Sequence, residues 1–523
     1  LSYIHRADEW NCFSPGPRHT VWLPLTNVER RAMKTTILCT TILMLIASSM
    51  SAQTGGGYFV NRTLPDTLLF RIDPFTIPIT VNHEDVKAIG MGKSQVANGS
   101  VFNAMMYNPA LLARTRTDAG IIVQASLPPR SFTAIRFLAD HFRELKAGTF
   151  VKQIRQGARN FKTALNIDGQ LAALREIQSG IRFVKDLQDA VGGTAANPET
   201  HGISIIPSIQ GQIGNFGLAL YGVAQSGFQL NSGAVLPALV ALTIPERLED
   251  LTPETPNQLL AILDPLFDQN GDIRTDALPE AYALSYIDIV GVAGYGFQIN
   301  PDLSIGANIK VANRRFSTKY VSPDQYDGIL SEVRKDFKTS ATSVSLDLGA
   351  LYKFKGTGTE VGLSLQNIIP FKVVTSTIKI KGLGIVDYDR QNGQPIIQNG
   401  DTALVAQNYR VDIPFDLKTP ILVNIGARQP ITDRWDAGLD VVDVAGQDDK
   451  FETVFDRVRV GTEFRLDAIQ NMLGIAFRVG LADTRPTFGL GLNIFRAVQL
   501  DGAYAYDNFF GDNTIFAQVR IGW

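Results

Sequence analysis

The chain has 523 residues, 45% of them hydrophobic, enough to bury a large core. Its formal net charge of −2 excludes the basic face that nucleic acid requires, so no nucleic-acid partner is expected. Glycine is frequent, with 46 residues, and the 2 cysteines, Cys12 and Cys39, both lie near the start.

From Met33 the sequence reads MKTTILCTTILMLIASSMSAQ. Lys34 is followed by an apolar core, Ile37 to Ala47, and then by the small residues Ser48, Ser49, Ser51 and Ala52. This is the layout of a secretory signal peptide, and the core is too short to cross a bilayer as a helix. Residues 33–52 are therefore read as a signal peptide, and residues 1–32 as an upstream extension foreign to the fold. From residue 53 onward no cysteine remains, which excludes a disulfide scaffold, a thiolate metal site and a cysteine nucleophile.

Residues 53–117 precede the regular part of the chain. They contain AIGMGKSQVANGSVFNAMMYNPALLA (88–113), in which Gly92-Lys93-Ser94 matches the end of a phosphate-binding loop. The first glycine of that pattern should stand at position 87, which is Lys87. Upstream, HEDVKA is no buried strand, and Asn108-Pro109 soon interrupts any helix. Nucleotide binding is a poor reading of this stretch.

From residue 118 apolar and polar residues alternate, the signature of strands with one apolar face. At the end of the chain, Ile515, Ala517, Val519, Ile521 and Trp523 share a face, with Gln518 and Arg520 on the other. Fourteen such segments lie near 118–126, 202–210, 214–224, 286–299, 303–314, 341–355, 358–368, 417–428, 433–444, 457–464, 473–479, 487–494, 498–504 and 514–523. The off-face residues are glycines, serines, asparagines and charges of both signs, too polar for the centre of a soluble β-sandwich, the alternative fold. A transmembrane barrel inverts the usual arrangement, with apolar residues outward and polar ones inward. Each segment is about the ~9–11 residues a tilted strand needs to cross hydrocarbon.

The links support the same reading. Alternate ones are tight: 211–215, 300–302, 355–359, 429–433, 467–471 and 495–497. Most of the others are long: 127–201, 225–285, 315–340, 369–416, 445–455 and 507–513, with a short exception near Asp483. Outer-membrane barrels have short turns at one end and long loops at the other. Helical spacing of apolar residues marks insertions near 131–190 and, interrupted by Pro245, Pro253 and Pro256, near 235–268. The fold expected is all-β: an antiparallel transmembrane barrel of about 14 strands over 118–523, with helical extracellular loops.

Charge is too costly in hydrocarbon to face lipid. Asp436, Asp440, Arg457, Arg459, Glu463, Arg465, Arg478, Asp501 and Arg520 are therefore expected to face the lumen. They either pair with one another or with the N-terminal segment inside the barrel, or form a lining that senses ligand or ions. On strand 456–466, Arg is expected to be disruptive at Val460 on the lipid face, whereas Ser at Gly461 on the other face should be nearly neutral. Trp523 is expected to seat at the interface and act as the C-terminal insertion signal.

Enzymatic chemistry finds little support. The histidines after the signal peptide are His83, His141 and His201, with no metal-ligand spacing among them. His201 beside Ser204 is a weak candidate hydrolytic pair. DQNGDIRTD (268–276) resembles a calcium loop, but the required glycine is replaced by Ile273. No enzyme activity, metal or cofactor is expected.

The stretch 88–113 resembles the N-terminal signature of the FadL/PorV-like superfamily of outer-membrane barrels, roughly GMGGAxVAxxxDxxAxxxNPAxL. The matches are Gly90, Met91, Gly92, Val96, Ala97, Asn108, Pro109, Ala110 and Leu111, while Lys93 and Asn98-Gly99 depart from the pattern. The helical insertion is most similar to the TraF-like branch. The resemblance implies that residues 53–117 form a lumen plug near the periplasmic end of the barrel, its motif being Gly90, Met91, Gly92, Asn108, Pro109 and Ala110. It also implies an outer-membrane location in a Gram-negative-type bacterium, insertion by the barrel-assembly machinery and contact with outer-membrane lipid. The function implied is passage of small molecules, hydrophobic ones among them. The alternative is a non-transporting component of a secretion or conjugation system that binds partner proteins.

Overall fold

The computed structural model describes residues 84–99, 104–147, 149–191, 199–231, 280–321, 340–369, 421–446, 453–469 and 472–522, apart from single positions at 115, 165 and 496. It also describes residue 337 and short strands between 68 and 70 and between 372 and 418. The signal-peptide, calcium-loop and 235–268 helix expectations, and Trp523, lie outside the described residues.

Alternation at period two becomes a closed antiparallel wall of fourteen strands. They are β1 (Arg116–Leu127), β2 (Thr200–Gly214), β3 (Phe216–Asn231), β4 (Glu280–Asn300), β5 (Leu303–Val321), β6 (Ser340–Lys353) and β7 (Glu360–Gln366). The wall continues through β8 (Leu422–Thr432), β9 (Trp435–Val441), β10 (Val458–Ile469), β11 (Leu473–Ala482), β12 (Arg485–Ile494), β13 (Val498–Asp507) and β14 (Asp512–Gly522). Closure comes from β1 against β14, in register from Gly120–Gly522 to Leu127–Ile515. A closed wall leaves no strand edge unpaired, as a lipid environment demands.

Polarity is inverted around the whole circumference. Outward-facing Ile121, Val123, Leu220, Ile309, Leu439, Phe488 and Val519 are exposed, while inward-facing Gln124, Ser208, Asn308, Asp347, Glu463 and Gln518 are buried. An apolar belt of this extent belongs in lipid rather than water. Wall height is uneven: β4 and β5 run for 21 and 19 residues, β7 and β9 for 7 each.

The links segregate by end, with one correction. The β13–β14 link, expected among the long ones, is the short turn 508–511, and Phe509 and Phe510 fold back into the barrel and are buried. The β7–β8 link is a long connection with structure of its own. Strand Lys372–Val386 pairs with Arg410–Lys418 and Leu404–Gln407, and also with Leu68–Phe70 from the N-terminal region.

The β1–β2 link is a helical insertion of α3 (Ser131–Asp140), α4 (Phe142–Ala147), α5 (Thr149–Thr163) and α6 (Ile167–Val191). Phe150, Ile154, Ala158 and Phe161 of α5 are buried, as are Leu174, Ile177 and Ile181 of α6. Gly157 and Gly180 allow the two helices to approach closely, since a Cβ on either would meet backbone of the other at 2.8 Å. Ala134 of α3 packs with Leu187 and Val191 of α6, and Ser131 Oγ accepts a bond from Gly202 N of β2 at 3.0 Å. The insertion is thereby docked on the long-link end of the wall.

Candidate functional site

The barrel interior holds residues 84–99 and 104–114, and the sequence explains their shape. Asp85 caps α1 (Val86–Gly90) by accepting from Lys87 N at 2.7 Å, and the helix stops at Met91. Gly92 and Lys93 then take left-handed φ values of 63° and 61°, and Lys93 N donates to Ala88 O at 2.8 Å. After α2 (Ala104–Tyr107), Asn108 Oδ1 accepts from Ala110 N at 3.0 Å, and Pro109 opens the 3-10 turn Pro109–Ala113.

The amides a phosphate loop would offer to a ligand are already occupied. Gln95 N and Val96 N donate to one carboxylate oxygen of Asp440 at 2.6 and 2.9 Å, and Gly92 N donates to Thr487 Oγ1 at 3.0 Å. Lys93 Nζ pairs with Glu84 at 2.7 Å. No helix follows Ser94 in the manner of a phosphate loop. Gly92-Lys93-Ser94 is a turn clasped by the wall.

Wall glycines provide the space. A Cβ on Gly461 would lie 1.8 Å from Met91 O, on Gly480 2.2 Å from Gly92 N, and on Gly489 2.9 Å from Gly90 Cα. A Cβ on Gly349 would lie 2.0 Å from Asn108 Oδ1, and on Gly306 2.3 Å from Pro109 O. These glycines form rows across neighbouring strands: Gly438–Gly461–Gly480, and Gly296–Gly306–Gly349. Gly461 therefore tolerates no side chain, and the expected neutrality of Ser there is wrong. Its lumen face is contact surface rather than open channel.

Wall side chains complete the clasp. Asn308 Nδ2 donates to Met105 O at 2.5 Å, Gln366 Nε2 to Met106 O and Tyr107 O at 3.1 Å, and Gln212 Nε2 to Leu112 O at 2.8 Å. Asn108 Nδ2 reaches Val96 O at 2.9 Å and the wall carbonyl of Ala350 at 3.1 Å. The segment is not confined to the short-link end. Gly92 sits against Leu481, two residues from the β11–β12 link at the long-link end, while Leu112 sits beside the end of β2 at the opposite end.

The inward charges form several groups. Glu463 accepts from Arg478 at 2.7 Å and lies 3.1 Å from Lys87 Nζ, and Arg478 reaches Asp501 at 2.6 Å. Asp436 accepts from Arg428 at 2.8 Å and also pairs with half-exposed Arg465. Arg459 lies 3.9 Å from Glu84, and Arg520 lies apart, 3.2 Å from Asp118. Arg457 belongs to the 3-10 turn Phe455–Arg457 before β10 and packs against Gly446. Burial works to lower the Lys93 pKa, but the Glu84 and Asp483 carboxylates outweigh it and hold the value above normal.

Several interior residues escaped the sequence reading. Arg314 and Asp288 make a buried two-bond pair of 2.7 and 2.5 Å, and Lys310 Nζ lies 2.9 Å from Asp347. Lys310 and Arg314 alternate on the inward face of β5, a signal as good as the one used in the C-terminal strands. Beside them Tyr221, Tyr286, Val290 and Val292 form one apolar cluster with Met105, Met106, Leu112, Phe509 and Phe510. His201 bonds Val191 O through Nε2, while its Nδ1 has no partner among the described residues, Ser204 included. Trp523 lies outside the described residues.

Comparison with known proteins gives one sequence family. A family model described as "F plasmid transfer operon, TraF, protein" matches residues 105–468. No curated protein matches the sequence. Among solved structures, the Ralstonia pickettii toluene transporter TbuX is 11% identical, with 85% of this chain and 99% of that one covered and a TM-score of 0.40. The Pseudomonas putida toluene transporter TodX is 11% identical, covering 84% and 97%, with a TM-score of 0.38. A Pseudomonas aeruginosa FadL homologue is 10% identical, covering 86% and 98%, with a TM-score of 0.37. The sequence match spans more than half of the chain, so this fourteen-stranded barrel belongs to the TraF family of the F plasmid transfer operon.

Proposed function

We propose that the protein is an outer-membrane barrel that passes small molecules, hydrophobic ones among them, when its lumen segment yields. The observation that carries this reading is the lumen itself: one flank is apolar, around Tyr221, Tyr286 and Val290, and the segment that covers it with Met105, Met106 and Leu112 joins the wall by side-chain packing and polar bonds rather than as a wall strand. Closure of the wall needs none of residues 84–114. Toluene and other monoaromatic hydrocarbons, carried by proteins with similar barrels, set the size of the first solutes to try. Purified protein in lipid vesicles, with the uptake of a small aromatic solute compared with that of empty vesicles, tests the proposal. Uptake no faster than in empty vesicles, even in a variant whose segment has been released, would refute it.

A second reading is a partner-binding component of a conjugation or secretion system. The family's own description favours it, as does the docked insertion α3–α6, which presents Lys152, Arg159, Arg175 and Arg182 on its exposed surface. A barrel that passes no solute, and that loses a co-purifying partner when α4–α6 are removed, would support this second reading.

A further inference from the structure

The lumen segment has a direction. At its start Glu84 pairs with Lys93 and lies 3.9 Å from Arg459, the second residue of β10, at the long-link rim. At its finish the carbonyls of Leu112 and Arg114 accept from Gln212, two residues before the β2 strand ends at the short-link side. The chain thus enters the barrel from the long-link end and runs to the opposite one, where β1 begins. Independently, Leu68–Phe70 pairs antiparallel with residues 382–385 of the accessory strand Lys372–Val386. That strand belongs to the β7–β8 link, which is also at the long-link end.

From these two observations we infer that the N-terminal segment is a strap threaded through the lumen from the long-link mouth. It is tied there by strand addition, in which Leu68–Phe70 serves as an extra strand on the chain's own accessory sheet. Main-chain bonds supply the hold in this mode of recognition, so it depends on register more than on side-chain identity. On the outer-membrane reading proposed above, on which this clause rests, the long links are extracellular, so that mouth is the cell surface. Whatever frees the lumen segment by loosening the tie acts from outside the cell.

The absence of cysteine from residue 53 onward makes the test direct. Leu68 and Ile385 are register partners, and paired Cα atoms in an antiparallel ladder lie about 4.5–5.5 Å apart, within disulfide range. The double variant Leu68→Cys/Ile385→Cys should form a disulfide under mild oxidation of intact cells, seen as a gel shift reversed by reductant. Leu68→Cys alone should react on intact cells with a polymer-linked maleimide too large to cross the outer membrane, as should Ser179→Cys on exposed α6. Thr357→Cys in the short β6–β7 link should react only after permeabilisation. Absence of the disulfide, with Leu68→Cys labelled only alongside Thr357→Cys, overturns the strap while leaving the barrel's orientation standing. Reversal of the Ser179 and Thr357 results overturns the orientation, and with it the cell-surface placement.

Discussion

Replacing Gly461 by alanine should expel the lumen segment without opening the wall. A Cβ at this position would meet Met91 O at 1.8 Å, Met91 C at 2.4 Å and Met91 Cα at 2.9 Å, so the turn must retreat by more than an ångström. Gly480 lies directly across the ladder and is filled by Gly92 N, which blocks sideways escape. Overpacking of this kind costs about 1–3 kcal/mol. The retreat also breaks the Gly92 N bond to Thr487 and the Gln95 and Val96 bonds to Asp440. Neutral bonds contribute about 0.5–1.5 kcal/mol and those to charged groups about 1.5–3 kcal/mol, so one neutral bond and two to a carboxylate bring the total to about 4–10 kcal/mol. The assay uses Ser94→Cys, buried in the native turn, as a reporter of undocking by maleimide reactivity. Reaction should accelerate by about a hundredfold or more in the Gly461→Ala background, while heat-modifiable mobility shows the barrel intact. Gly291→Ala is the control, because a Cβ there meets nothing within 4 Å. Identical thiol protection and identical thermal transitions in the two alanine variants would refute the clasp.

Three further outcomes follow from the described contacts. Val460→Arg, on the face opposite Gly461 and near the long-link rim, should destabilise the barrel by about 1–2 kcal/mol in refolding into lipid, less than at the bilayer midplane and absent if that face were lumenal. Asp288→Asn should cost about 3–5 kcal/mol in denaturant titration, since it strands the buried Arg314 charge, whereas Asp288→Leu/Arg314→Met should be far milder. Lys93, held above its ordinary 10.5, contributes to docking in full below that pH and loses the contribution as pH rises past its raised value. Ser94→Cys protection should therefore decline at strongly alkaline pH, and Lys93→Gln should abolish that limb of the profile.

The wall was legible because period-two alternation needs no knowledge of partners: all fourteen strands lie where polar and apolar residues take turns. Helical spacing likewise marked α3–α6. What alternation cannot register is the role of an inward residue with no side chain. Gly461, Gly480 and Gly349 read as permissive lumen positions, yet each is where backbone of the lumen segment touches the wall. Asp440 was found by charge, but its two amide donors lie 345 and 344 residues away in sequence, beyond any local pattern. The Arg314–Asp288 and Lys310–Asp347 pairs obey the same inward alternation on β4–β6, but which charge meets which depends on the register between strands, and no single strand encodes that. Phe509 and Phe510 look like loop residues because nothing local indicates that a four-residue turn folds inward.

The clasp also constrains the order in which the molecule is made. Val86 bonds Gln518 across 432 residues, and α1 rests on strands that are synthesised last. Such non-local contacts carry the largest loop-closure entropy and form late. The wall closes through β1 and β14 without the lumen segment, whereas α1 has no seat until those last strands are present. Lumen filling is therefore the final step of folding, and a segment that cannot dock leaves a closed but unfilled wall behind it.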